Sequence, residues 1–265
     1  MKTLLITASL LGALWLPGTA SAQAPARSPA TVTAFETLSH GNFKNVALYR
    51  PQGEAKSFVL FLSGDAGWTP ALGAQAQALA ARGALVAGIH TPHLLAALTK
   101  SGGDCLLPDG DLENLSHFLQ GYARLPGYFV PLLVGEGLGG TLAYAMLAQA
   151  PADTFGGAVS MGFCPTLAVG RPLCKGDGVN FKRNAPGAGL TLLPSSQPHA
   201  PWAVLQDTDD KACAPAVVQD FVAQVRGAEL VNVPVADATP ALLEAQRKLS
   251  RAPSAAPPAA DTGVA

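Results

Sequence analysis

The strongest constraint in this sequence is a series of short apolar runs separated by helical patterns. The runs are Val46–Tyr49, Phe58–Leu62, Leu85–Ile89, Pro131–Val134, Ala158–Met161, Trp202–Leu205 and Glu229–Val233. Most are solid rather than alternating, which is how strands covered on both faces read. Helical patterns lie between them at Ala71–Arg82, Leu112–Arg124, Leu138–Gln149 and Pro215–Val225. Such alternation predicts an α/β fold, a mostly parallel sheet with helices on both faces, in one domain spanning 40–250. No repeat or linker divides that stretch.

Charge removes one class of function. The chain has 17 Lys+Arg against 18 Asp+Glu, and charged residues make up only 13% of it. No basic face for nucleic acid follows from that balance.

The first 22 residues read as a secretory signal peptide. Lys2 is a positive start, Leu4 to Leu16 is the apolar stretch, and Ala20-Ser21-Ala22 is a small-x-small cleavage site before Gln23. A membrane span needs roughly 20 apolar residues, and this run is shorter. The expected product is an exported, periplasmic protein with no transmembrane anchor after cleavage. Residues 23–39 are expected to be a disordered leader, and the Ala/Pro-rich 251–265 a disordered tail.

Export gives the cysteines a structural meaning. An even count in an oxidising compartment suggests two disulfides among Cys105, Cys164, Cys174 and Cys213, and three connectivities are open. Pro165, Gly170 and Pro172 make the segment between Cys164 and Cys174 a loop able to fold back. That favours Cys164–Cys174, with Cys105–Cys213 by elimination. Neither pair has the spacing of a zinc knuckle. His90 and His93, separated by Thr91 and Pro92, lack an obvious third ligand, so no metal or other cofactor is expected.

In parallel sheets, ligands bind beyond the carboxyl ends of the strands. The most informative loop there is Gly135-Glu136-Gly137-Leu138-Gly139-Gly140. Gly135, Gly137 and Gly140 satisfy G-x-G-x-x-G, but a dinucleotide fingerprint belongs to the first βα unit and needs an acid after the next strand. Here the loop lies mid-chain, and Gly162-Phe163-Cys164 follows instead. The better reading is the nucleophile elbow G-x-S-x-G, with Gly137 at the serine position. The turn is present and the hydroxyl is absent, so the acyl-enzyme route is closed at its first step.

A second group of loops frames that elbow. Ser63-Gly64-Asp65-Ala66-Gly67-Trp68 follows the strand that supplies an oxyanion-binding N–H in enzymes with this turn. Ser63, Gly64, Asp65, Trp68 and Leu138, with His90, form the candidate cradle for an anion or carbonyl. Trp68 either walls a pocket or covers the core. Ser63 and His90 are also weighed as a substitute dyad. Asp109, Asp111 and Glu113 open a helix, where negative charge is favoured.

Several motifs together resemble one family. FLSGDAGW (Phe61–Trp68), GDCLLPDGDLENLSHFLQ (Gly103–Gln120), TLAYAMLAQAP (Thr141–Pro151) and MGFCPTL (Met161–Leu167) are similar to the AcvB/VirJ bacterial virulence proteins. The resemblance covers roughly residues 40 to 235. It implies an α/β-hydrolase-like fold in the periplasm and hydrolysis of the aminoacyl ester of lysyl- or alanyl-phosphatidylglycerol. Carried over, the nucleophile position falls on Gly137, the acid on Asp210, and the histidine on Asp237. With two of three triad members changed, a non-catalytic protein is expected, binding a lipid headgroup, an acyl ligand or an envelope or secretion protein. The alternative is an ester hydrolase using other residues.

Overall fold

The structure is a computed structural model that describes residues 35–196, 198–234 and 238–252, all within one compact unit. The signal peptide, residues 23–34 of the leader, residues 253–265 of the tail, and Asp237 lie outside the described residues. The leader ends earlier than the sequence suggested, because Glu36–His40 forms strand β1. Its alternating half-buried residues pair antiparallel with β2, Phe43–Tyr49.

The main sheet continues with β3 (Ser57–Leu62), β4 (Ala84–Ile89), β5 (Leu132–Glu136) and β6 (Gly157–Met161). After a three-stranded insertion of β7 (Thr166–Leu167), β8 (Asn180–Arg183) and β9 (Leu190–Leu193), it resumes with β10 (Trp202–Gln206) and β11 (Ala228–Asn232). Strand order is β1-β2-β4-β3-β5-β6-β10-β11. The six strands from β4 to β11 run parallel, and β2 is antiparallel to β4.

The solid apolar runs follow from burial of both faces. Phe58, Leu60 and Leu62 of β3 join a core beneath α2 (Thr91–Lys100), α3 (Pro108–Tyr122), α4 (Leu138–Gln149) and α5 (Pro215–Val222). Val59 and Phe61 point the other way, beneath α1 (Pro70–Ala81) and α6 (Ala238–Leu249). Successive strand residues thus serve two cores. Under α4, a polar chain crosses the larger one: Trp202 Nε1 donates to Ser160 Oγ at 2.9 Å, and Ser160 Oγ donates to Gly140 O at 2.6 Å. Ser160→Ala should strand the buried indole N–H and lower unfolding stability by about 1–3 kcal/mol in denaturant titrations.

The disulfide pairing differs from the expectation. Cys105 bonds Cys174, and Cys164 bonds Cys213. The segment after Cys164 does not fold back on itself. It runs along α4, where Leu106 N–H donates to Pro172 O and Cys174 N–H to Leu106 O, both at 2.8 Å. Those bonds set Cys174 beside Cys105. Cys164 stays at the carboxyl edge of the sheet, next to the loop after β10 that carries Cys213. Gly176 and Gly178 lie against the carbonyls of Gln149 and Ala148, and Tyr144 OH accepts from Ser195 N–H at 2.8 Å. Burial pushes the Tyr144 phenol up to about 12. The insertion therefore flanks α4 and leaves Glu136 exposed and Gly137 and Leu138 half-exposed.

Candidate functional site

β5 ends in Glu136, and Gly137 turns the chain into α4 with φ 51° and ψ −116°. A residue bearing a side chain would be strained there by about 1–3 kcal/mol. The turn is pinned by Gly137 N–H donating to Met161 O at 2.8 Å and Thr141 N–H donating to Gly137 O at 2.9 Å. Close approach fixes its neighbours. A Cβ on Gly135 would stand 2.2 Å from the Gly139 carbonyl, and one on Gly139 would stand 2.3 Å from Leu62 O. At Gly137 the reverse holds, since beyond its flanking residues a Cβ would meet nothing nearer than Gly64 Cα at 4.0 Å. The elbow has its shape, and the space for a nucleophile is open.

The loop after β3 behaves differently from the sequence expectation. Ser63 is fully buried; its Oγ accepts from Thr91 N–H at 3.0 Å and donates to Gly64 O at 3.3 Å. It ties the strand end to α2. His90 caps α2, its Nδ1 accepting from His93 N–H at 3.3 Å, and its ring stacks on His93 at 3.6 Å. A Cβ on Gly67 would lie 2.2 Å from His90 Nε2, so the ring is packed against that loop. Ser63 and His90 therefore form no dyad. Burial, then the neighbouring His93, lowers the His90 pKa, which keeps the ring neutral near pH 7.

Trp68 covers the core on the α1 face. Its Nε1 donates to Tyr49 OH at 3.0 Å, and its ring meets Phe61 edge-on at 5.4 Å. Gly88 makes room for it, since a Cβ there would lie 2.4 Å from the indole. Asp65 is exposed, and the backbone N–H groups of Asp65 and Leu138 donate to no acceptor among the described residues. Those amides are unpaired donors in the two loops. At the start of α3, Asp109 is buried, which raises its pKa, and Asp111 accepts from Asn42 Nδ2 at 3.0 Å. Both are engaged in packing the helix end.

Beside the elbow, on the α1 and α6 face, lies a cleft of about 640 Å³. Its apolar wall includes Met161 and Leu205; its charged lining is Glu136, Asp207, Asp209, Asp210 and Lys211. The Asp210 carboxylate accepts from Gln206 Nε2 at 2.6 Å, Ala212 N–H at 2.7 Å and Cys213 N–H at 3.3 Å. These bonds and the Cys164–Cys213 bridge hold the acid loop. Glu136 shares strand parity with Leu132 and Val134, so it points to this face. Its carboxylate has no hydrogen-bond or ion-pair partner among the described residues, and Oε2 lies 4.0 Å from where a Gly64 Cβ would be. Its side chain keeps solvent contact, yet surrounding protein desolvates the carboxyl enough to raise its pKa. No described histidine lines the cleft, and no described cluster of His, Cys, Asp or Glu has the makings of a metal site.

The sequence reading places Glu136, Asp207 and Asp209 in loops beyond strand ends without giving them a role, and it passes over Gln206. The signal for Glu136 was its place between two elbow glycines at a strand end with face-alternating neighbours.

No family model and no curated protein matches the chain. Solved structures do. A dienelactone hydrolase from Anabaena variabilis aligns with 83% of this chain and 97% of its own, at 20% identity and TM-score 0.53. An α/β serine hydrolase without lid from Xanthomonas campestris aligns with 86% of this chain and 100% of its own, at 16% identity and TM-score 0.52. The fold is that of the α/β-hydrolases. An esterase domain from Rhodothermus marinus aligns similarly, over 81% of this chain and 98% of its own, at 16% identity and TM-score 0.53. At such identities the α/β-hydrolase likeness concerns architecture and leaves the chemistry to the residues.

Those residues predict the behaviour of Gly137→Ser. The hydroxyl fits the open space, but His90 sits at the end of β4, two strands and roughly 10 Å from the elbow. Its Nδ1 is already occupied. The variant is expected to react with a fluorophosphonate probe far more slowly than a histidine-activated serine and to lose about 1–3 kcal/mol of stability from backbone strain. Labelling at the rate of a histidine-activated serine would overturn this account.

Proposed function

We propose that this chain is an exported, periplasmic protein of the AcvB/VirJ type that has lost serine-nucleophile chemistry and binds an ester- or acyl-bearing lipid at the elbow. The observation that carries the reading is the turn itself. Gly137 holds the strained nucleophile conformation, with Leu138 and Asp65 amides free, and no hydroxyl is there to use them. Two disulfides are compatible with an oxidising compartment. The lining of Glu136, Asp207, Asp209 and Asp210 against a single Lys211 favours a cationic aminoacyl headgroup over a bare phosphate.

Vesicle binding tests this. Vesicles containing lysyl-phosphatidylglycerol should bind the mature protein more tightly than vesicles of phosphatidylglycerol alone, and the preference should shrink with added salt. Equal binding to both, or none at millimolar lipid (on the order of 4 kcal/mol of affinity), would sink the proposal. An envelope-protein interaction module would then be the better reading.

A further inference from the structure

We infer that the open space over Gly137 admits a water molecule that Glu136 activates, so that the pocket hydrolyses esters directly, without an acyl-enzyme. The inference rests on the reading of the elbow as the place where an ester carbonyl binds. Three observations support it. Beyond the flanking Glu136 and Leu138, the nearest atom to the Cβ position of Gly137 is Gly64 Cα at 4.0 Å. The Glu136 carboxylate approaches Gly64 as well, with Oε2 4.0 Å from the Gly64 Cβ position, and it lines the adjoining cleft. The Leu138 and Asp65 N–H groups have no internal acceptor.

Glu136 is also an uncommitted acid, as are Asp209 and the exposed Asp65, and it alone of the three lies within the elbow. Asp210 is tied up by Gln206, Ala212 and Cys213, and Asp207 accepts from Asp209 N–H at 2.9 Å. Glu136 has no such duty, and its partial desolvation makes it a stronger base than a solvated carboxylate.

The step balances without another reactant. Glu136 takes a proton from water as the water oxygen bonds to the ester carbonyl carbon. The carbonyl π pair moves to its oxygen, which the free N–H groups stabilise. Collapse of that oxyanion breaks the bond to the alkoxy oxygen, and the leaving alcohol takes the proton back from Glu136. A carboxylic acid and an alcohol result.

The probe is p-nitrophenyl acetate, a small neutral ester whose binding does not depend on the acidic lining. The mature protein should hydrolyse it faster than buffer, without an initial burst and without inhibition by a fluorophosphonate. Glu136→Gln should lower kcat by about a hundredfold, within the span of a lost general base, with KM and thermal unfolding unchanged. Glu54→Gln, an exposed carboxylate away from the cleft, should leave the rate as it is. The wild-type rate should rise with pH along a limb displaced above the ordinary carboxylate range, and that limb should vanish in Glu136→Gln. Asp207, Asp209, Asp210 and Lys211 also face the cleft, whereas α1 contributes Gln75 and α6 contributes Thr239; loss of the limb in the Gln variant assigns it to Glu136 rather than to them. A rate no faster than buffer, with binding to lysyl-phosphatidylglycerol vesicles intact, overturns the inference and leaves the binding pocket standing. An unchanged rate in Glu136→Gln overturns it as well. Loss of both hydrolysis and vesicle binding removes the inference and the binding reading together.

Discussion

Gly139→Ala should damage this protein severely, lowering stability by about 3 kcal/mol or more. The added carbon would stand 2.3 Å from Leu62 O and 2.5 Å from Ser63 O, both backbone atoms that no rotamer change can clear. Relief requires α4 to move off β3, which opens the core beneath Leu142, Tyr144 and Met146. Thermal unfolding and near-ultraviolet dichroism would record it. Gly110→Ala, on α3, provides the contrast. Its Cβ would meet only Leu107 Cδ2 at 3.8 Å, so the same methyl should be close to neutral or slightly stabilising. Similar losses at both sites would mean that the elbow is not the tight contact described.

Removing Cys164–Cys213 by the paired change to serine should cost roughly 4 kcal/mol on a chain-entropy basis, because the bridge closes 49 residues of sequence. At roughly 2–4 °C per kcal/mol for a chain of this size, the midpoint should fall by about 8–16 °C. The effect should extend beyond stability. Cys213 N–H donates to Asp210, so freeing that loop should speed hydrogen exchange at Ala212 and Cys213 before global unfolding. Proteolytic mapping of the unreduced protein should return a Cys105–Cys174 peptide pair. A Cys164–Cys174 pair would contradict the structure.

Most of the main sheet was legible because burial on both faces leaves a mark in one dimension: four or more apolar residues in a row. All seven expected strands are present, with ends shifted by up to three residues. What went unread has short or ambiguous signals. β1 alternates too weakly over five half-exposed residues, and the two-residue β7 has no pattern at all. α6 did offer a signal in Leu242, Ala245 and Leu249, spaced for one helix face, behind a Pro at its start. α3 begins four residues early because Pro108 suits the first turn.

The site was legible in its backbone and not in its partners. Glycines at 135, 137 and 139 announce a turn on their own. The disulfide error has a different origin, since the proximity of Cys174 to Cys105 depends on the path of the insertion along α4. No local rule encodes that path. Ser63 shows the limit from the other side: a serine in a functional-looking loop is spent on a helix start 28 residues away.

The placement of the insertion along α4 also bears on how fast ligand comes and goes. An active site beneath a mobile cap exchanges its contents no faster than the cap opens, often on microsecond-to-millisecond timescales. Here Glu136 is exposed and Gly137 and Leu138 are half-exposed. Observed association rates should therefore climb linearly with ligand concentration and show no plateau from a gating step. Differences between ligands should then reside in how slowly each one departs.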